Sequence, residues 1–234
     1  MALRLEAVTF DVADARAAAA FWAGLLDRPA LAEPGAVLVP GDGTQVGLRF
    51  VASDTAHVGP HRLHLHLTSS SPDQQRRTVA AALRLGGRHL DVGQGPEAPF
   101  VVLADPAGGE LCVIEAGNAF LAGAGLLGEV TCDGSREVGL FWHDALGWPL
   151  VWDQDGQTAI RSPRGGTTIS WDTWGDPEIR SGNARSRQRF DLVADDPAVE
   201  ADRLVALGAT RRTEGSAGVE MADPDGGVFR LRRA

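Results

Sequence analysis

The sequence predicts an α+β fold in which one plan is stated twice. Three observations point to it. FWAGLLDRP at residues 21–29 returns as FWHDALGWP at 141–149, and ADPAGGELCVIE from Ala104 returns as ADPDGGVFRLRR from Ala222. The matching segments stand about 120 residues apart, which divides the chain into two similar domains of ordinary size. Within each half, short β-patterned runs alternate with amphipathic helical ones. The expected domains are residues 1–116 and 128–234, joined by 117–127, a small-residue, uncharged segment.

In the first half, residues 3–12 read as a strand and 14–26 as a helix. Asp14 suits its N-cap, and Ala18, Phe21, Trp22 and Leu25 share one face. Strands follow near 36–40, 45–52 and 61–68. A second helix over 72–86 starts after Ser71 with Pro72 in its first turn. Strands near 88–92, 99–104 and 110–115 close the domain. Each domain therefore holds two strand–helix–strands units, and the second repeats the plan from Leu127 to Leu231. The glycine pairs 108–109 and 226–227 follow Asp-Pro and open no helix, so they read as hairpin turns rather than phosphate loops.

Composition bounds the function. The chain has 234 residues, 44% of them hydrophobic and 23% charged, which is enough to bury a core. A net charge of −9 argues against non-specific nucleic-acid binding. No run approaches a membrane span, and Arg4, Glu6 and Asp11 interrupt any signal-peptide core. Cys112 and Cys132 sit in apolar strand-like runs and read as reduced thiols, so a cytoplasmic location is expected. Basic charge is carried by arginine alone, with a cluster at Arg180, Arg185, Arg187 and Arg189.

The stretch RLHLHL, residues 62–67, draws the eye to chemistry. His64 and His66 share one strand face and the leucines share the other. Six tryptophans and no tyrosine is a skewed aromatic usage. Trp22 and Trp142 occupy matched helix positions and read as core. Trp152, Trp171 and Trp174, with Asp172, Asp176 and Glu178 nearby, suggest a rim for a flat organic ligand. Arg189 and Asp191 share a strand face, so the guanidinium either grips an anion or pairs internally.

The opening run EAVTFDVADARAAAAFWAGLLDRP resembles the start of glyoxalase-like domains of the vicinal oxygen chelate superfamily. So does RLHLHL followed by FVVLADPAGGELCVIE. That superfamily includes glyoxalase I, bleomycin-resistance proteins and extradiol dioxygenases. The resemblance implies two tandem glyoxalase-like domains, each of paired βαβββ units forming an incomplete barrel with a cavity. It also implies one divalent metal, held by the first and last strands of each unit. Carried onto this chain, the ligand positions of the first domain fall at Ala7, at Leu48 or Phe50, at His64 and at Glu115, so only His64 and Glu115 can donate. In the second domain Glu129 stands where Ala7 does, but Arg189 and Arg233 replace the other donors.

The expectation is therefore a protein that binds a small organic molecule in a barrel cavity without a complete metal site, as a monomer or homodimer. The alternative is a metal-dependent lyase, isomerase or dioxygenase acting in the first domain. It would use Zn, Fe, Mn or Ni, with His64 and Glu115 as ligands or as an acid/base pair and His66 as an auxiliary. A smaller variant adds Glu129 to His64 and Glu115 across the two domains.

Overall fold

The computed structural model describes residues 3–54, 62–173, 188–215 and 218–234. Four βαβββ units follow one another. The first is β1 (Arg4–Val12), α1 (Ala15–Leu26), β2 (Leu31–Glu33), β3 (Ala36–Val39) and β4 (Gly47–Ala52). The second is β5 (Leu63–Ser69), α2 (Pro72–Arg84), β6 (Arg88–His89), β7 (Val101–Ala104) and β8 (Glu110–Ala116). The third is β9 (Leu127–Asp133), α3 (Arg136–Leu146), β10 (Leu150–Gln154), β11 (Gln157–Arg161) and β12 (Thr168–Asp172). The fourth is β13 (Gln188–Ala194), α4 (Pro197–Ala206), β14 (Thr210–Gly215), β15 (Gly218–Ala222) and β16 (Val228–Arg233). The α+β fold of two similar halves is as the sequence indicates, and the strand limits given for the first half agree to within a few residues, although the short β2 was not among them.

The units pair across the two halves. One eight-stranded sheet runs β14-β15-β16-β13-β1-β4-β3-β2, and the other runs β10-β11-β12-β9-β5-β8-β7-β6. The first unit thus shares a sheet with the fourth, and the second with the third. In each sheet the opening strands of two units meet antiparallel at the centre, β1 against β13 and β5 against β9. Ala7 consequently lies in one sheet while His64 and Glu115 lie in the other, so the hollow expected among these three residues does not form. Any two units of this kind can satisfy the same central ladder. Strand periodicity does not say which two meet.

Capping and packing explain the helices. The Asp14 carboxylate accepts from the amides of Arg16 and Ala17, and Ser71 Oγ accepts from Gln74 N, satisfying otherwise orphaned donors. Phe21, Trp22, Phe141 and Trp142 are buried in the main core between helices and sheets.

The repeated Asp-Pro-x-Gly-Gly turn ties the two sheets together. Trp22 on α1 donates its indole N–H to Asp105 Oδ2 at 3.0 Å, and Trp142 on α3 donates to Asp223 Oδ2 at 3.3 Å. Helix α1 packs on the strands of the first unit, whereas Asp105 follows β7 of the other sheet; Trp142 and Asp223 make the reciprocal link. The Asp105 carboxylate also folds back onto the amides of Ala107 and Gly109. A Cβ at Gly109 would sit 2.9 Å from that carboxylate, and at Gly227 2.5 Å from Asp223, which is why the second glycine is needed. The first glycine, Gly108 or Gly226, has positive φ.

Residues 117–126 cross the second sheet as a strap. Arg161 donates to the carbonyls of Phe120 (2.8 Å) and Ala122 (3.2 Å). Thr68 Oγ1 donates to Gly125 O at 2.6 Å, and the buried Gln45 side chain reaches Ala124 O at 2.6 Å and takes the Leu127 amide at 2.9 Å. Leu121 and Ala124 are buried with Val102, Cys112 and Ile114 in a second, smaller apolar cluster. Among the described residues no helix is long and apolar enough to cross a membrane.

Candidate functional site

On β5 the alternation works as read. Leu63, Leu65 and Leu67 enter the main core, and His64 and His66 point to the opposite face. The two imidazole centroids are 5.1 Å apart. Register then decides their neighbours. His66 lies opposite Cys112 on β8 and opposite Glu129 on β9. The His66 Nδ1 is 2.6 Å from Glu129 Oε2, and Ser170 Oγ on β12 donates to Glu129 Oε1 at 2.5 Å. Donor atoms of His64, His66 and Cys112 all lie within 4.8 Å of one another. The smaller apolar cluster, with Phe100 and Phe120 against it, floors this face.

The electrostatics follow from enclosure. Burial opposes charge on His66 and is the largest single effect. Hydrogen bonds to Cys112 and Glu129, and the charges behind them, outweigh it and push the imidazole up to about 10. Burial likewise resists ionisation of Glu129, but the His66 hydrogen bond and charge, helped by Ser170, hold its carboxyl below the usual range. Burial raises Glu110, which sits at the head of β8 and is partly compensated by His66. Metal-free, the centre is thus an imidazolium–carboxylate pair beside the Cys112 sulfur.

Glu115 is elsewhere. It accepts from Asn118 Nδ2 at 2.9 Å at the far end of β8, and the carboxylate beside the imidazoles is Glu129. The reading that coupled His64 to Glu115 is corrected by register within the second unit, where His66 lies opposite Cys112 and Ser69 opposite Ala116, so Glu115 falls past the imidazoles; the cross-half pairing then supplies Glu129. The variant that brought Glu129 across had the right carboxylate in the wrong company. Cys112 was missed because LCVIE reads as plain core, although its alternation already sets Cys112 and Ile114 on one face. Ser170 carried no sequence signal.

The remaining candidates fare unevenly. Trp171 is 2% exposed and belongs to the core, where α3 packs so closely that a Cβ at Gly139 would lie 3.2 Å from its ring. It cannot form a ligand rim. Trp152 is partly exposed on β10, edge-on to Phe120 with centroids 6.0 Å apart. Trp174, Asp176, Glu178, Arg180, Arg185 and Arg187 lie outside the described residues.

Arg189 and Asp191 belong to the other sheet and to an internal ion network. Arg189 NH1 meets Asp11 Oδ1 at 2.8 Å, and Asp191 Oδ2 accepts from Thr9 Oγ1 (2.8 Å) and Arg49 NH1 (2.7 Å). Arg49 also binds Glu6 at 2.8 Å and Glu33 at 2.7 Å. Arg233 donates to the Asp195 carbonyl, and it is Arg232 that joins the network, through Glu6. The equivalent face of the first sheet is therefore filled by ion pairs, while that of the second sheet carries metal-type donors.

The glyoxalase-like domain family matches twice, over residues 7–114 and 129–232. Glyoxalase I from Zea mays superposes with a TM-score of 0.70 at 14% identity, covering 98% of this chain and 92% of that one. A candidate dioxygenase from Bacillus subtilis subsp. subtilis str. 168 gives a TM-score of 0.61 at 13% identity, covering 98% and 84%. At such identity these likenesses show the fold alone. No curated protein matches the sequence. With two matches that together span nearly the whole chain, the protein belongs to the glyoxalase-like domain family.

Proposed function

We propose that this protein binds a small organic molecule on the open face of the second sheet, with His64, His66, Cys112 and Glu129 as the polar groups that orient it. One observation carries this reading: donors from three strands converge over an apolar floor walled by the strap. The ion-paired face of the first sheet then serves as scaffold.

The donor set fits a divalent ion. Two imidazoles and a thiol within 4.8 Å suit Zn, Fe or Ni better than Mg or Ca. Glu129 on His66 Nδ1 is the carboxylate that such a ligating imidazole ordinarily has behind it. A bound ion would polarise a ligand oxygen as a Lewis acid. The chain's own residues do the rest. Ser170 fixes Glu129, Glu129 fixes the His66 ring, and the strap and Phe100 exclude water. The reaction would be of the lyase, isomerase or dioxygenase class. A metal-free binding role is the second reading, favoured because His66 already bonds both Cys112 and Glu129, leaving the cluster satisfied without an ion. The buried thiols Cys112 and Cys132 support a cytoplasmic setting for either.

Elemental analysis of tag-free protein, purified without nickel resin or chelator, separates the two. The metal reading expects about one equivalent of Zn, Fe, Mn or Ni, lost in Cys112→Ser and in His64→Ala. Background metal with retained small-molecule binding supports the second reading. A protein that binds neither metal nor any small organic compound on this face contradicts both.

A further inference from the structure

We infer that the cavity between the strap and the ends of β5 and β8 is a second binding site, for a small organic ammonium ion, with Glu115 as its counter-charge. The inference goes beyond the function proposed above and needs no metal.

The cavity has a volume of about 480 Å³, within the range of small-molecule sites. Its walls are hydroxyl and amide groups of Thr68, Ser69, Ser70, Gln74 and Asn118, with the glycines and alanines of the strap. Glu115 is the one ionisable residue in this lining. One of its oxygens accepts from Asn118, and no cationic side chain forms an ion pair with it among the described residues. That distinguishes it from Glu6, Glu33, Glu129 and Asp191, each of which faces a guanidinium or an imidazole.

The chemistry selects the occupant. A carboxylate without a cation, in a partly enclosed site, attracts positive charge. One carboxylate with hydroxyls is too poor a ligand set to strip water from a divalent ion, which needs several oxygen donors. An ammonium head has three N–H donors for Glu115, a hydroxyl and a carbonyl, and the small strap residues leave room for its carbon stem. The site is separate from the imidazoles: Glu115 bonds to Asn118 while His66 bonds to Glu129, and Ile114 lies on the shared floor.

The test is calorimetric titration of the full chain with ethanolammonium, with ethylene glycol as the uncharged control. The inference expects saturable ethanolammonium binding that added salt weakens, and none for ethylene glycol. Glu115→Gln preserves the Asn118 bond and should weaken binding about tenfold or more, with circular dichroism reporting the fold. Glu115→Asp, which keeps the charge on a shorter stem, should fall between. His66→Gln should leave the affinity unchanged. The inference is overturned if no saturable binding occurs, if ethylene glycol binds equally, or if folded Glu115→Gln binds like the parent. It is overturned too if His66→Gln abolishes binding as fully as Glu115→Gln, since the cation would then sit at the imidazole cluster.

Discussion

His66 concentrates the residue-scale argument. Its folded-state pKa is pushed above the ordinary imidazole value, to about 10, so the charged form is favoured by folding. That stabilisation is fully present below the unfolded imidazole pKa of about 6.5 and is lost as pH rises toward 10. Metal-free protein should therefore lose stability to urea across that window, and Glu129→Gln should flatten the slope; a slope unchanged in the variant would remove Glu129 as the cause. The two cysteines make an internal contrast. Burial and neighbouring carboxylates push Cys132 well above the thiol range, whereas Cys112 sits with His66 and His64. Alkylation followed by peptide mass mapping should label Cys112 first, and equal labelling would contradict the placement of the two thiols. Strand alternation let the sequence tell that His64 and His66 share a face. It could not tell that Cys112 or Glu129 faces them, because that is a property of neighbouring strands.

At the scale of elements, the strap matters most. A sequence of glycine, alanine and leucine without charge reads as a connector, yet its backbone carbonyls are held by Arg161, Thr68 and Gln45. Its order comes from side chains contributed by distant elements, and so left no pattern in the segment itself. Arg161→Ala removes two of these bonds and should cost about 1–2 kcal/mol in chemical denaturation. Amide exchange should quicken within 117–126 while the central strands stay protected. Exchange that quickens evenly through the sheet would mean the strap is not a separate unit. The helices, by contrast, were legible almost to the residue, since Asp14, Ser71 and Pro72 are local signals.

For the whole molecule, the governing fact is that the first unit pairs with the fourth and the second with the third. The duplication and the fold class were open to reading because repeats and periodicity are written along the chain. The partnership of units was not, because four similar units offer several equivalent ladders. The Trp22–Asp105 and Trp142–Asp223 bonds are then links between sheets rather than ornaments of one domain. Trp22→Phe should destabilise the fold by about 1–3 kcal/mol by leaving a buried carboxylate short of a donor. Burial raises Asp223 to about 6, so this group favours the folded state at low pH and its contribution falls as pH climbs from about 4 to 6.

The cross-half pairing is tested most directly by an NMR titration of the His66 imidazole in metal-free parent, Glu129→Gln and Glu115→Gln proteins. The structure predicts that Glu129→Gln brings the pKa down from about 10 toward the ordinary histidine value, and that Glu115→Gln leaves it in place. No change in Glu129→Gln would mean that β5 does not lie against β9, so the second and third units would not share a sheet and the site described here would not exist.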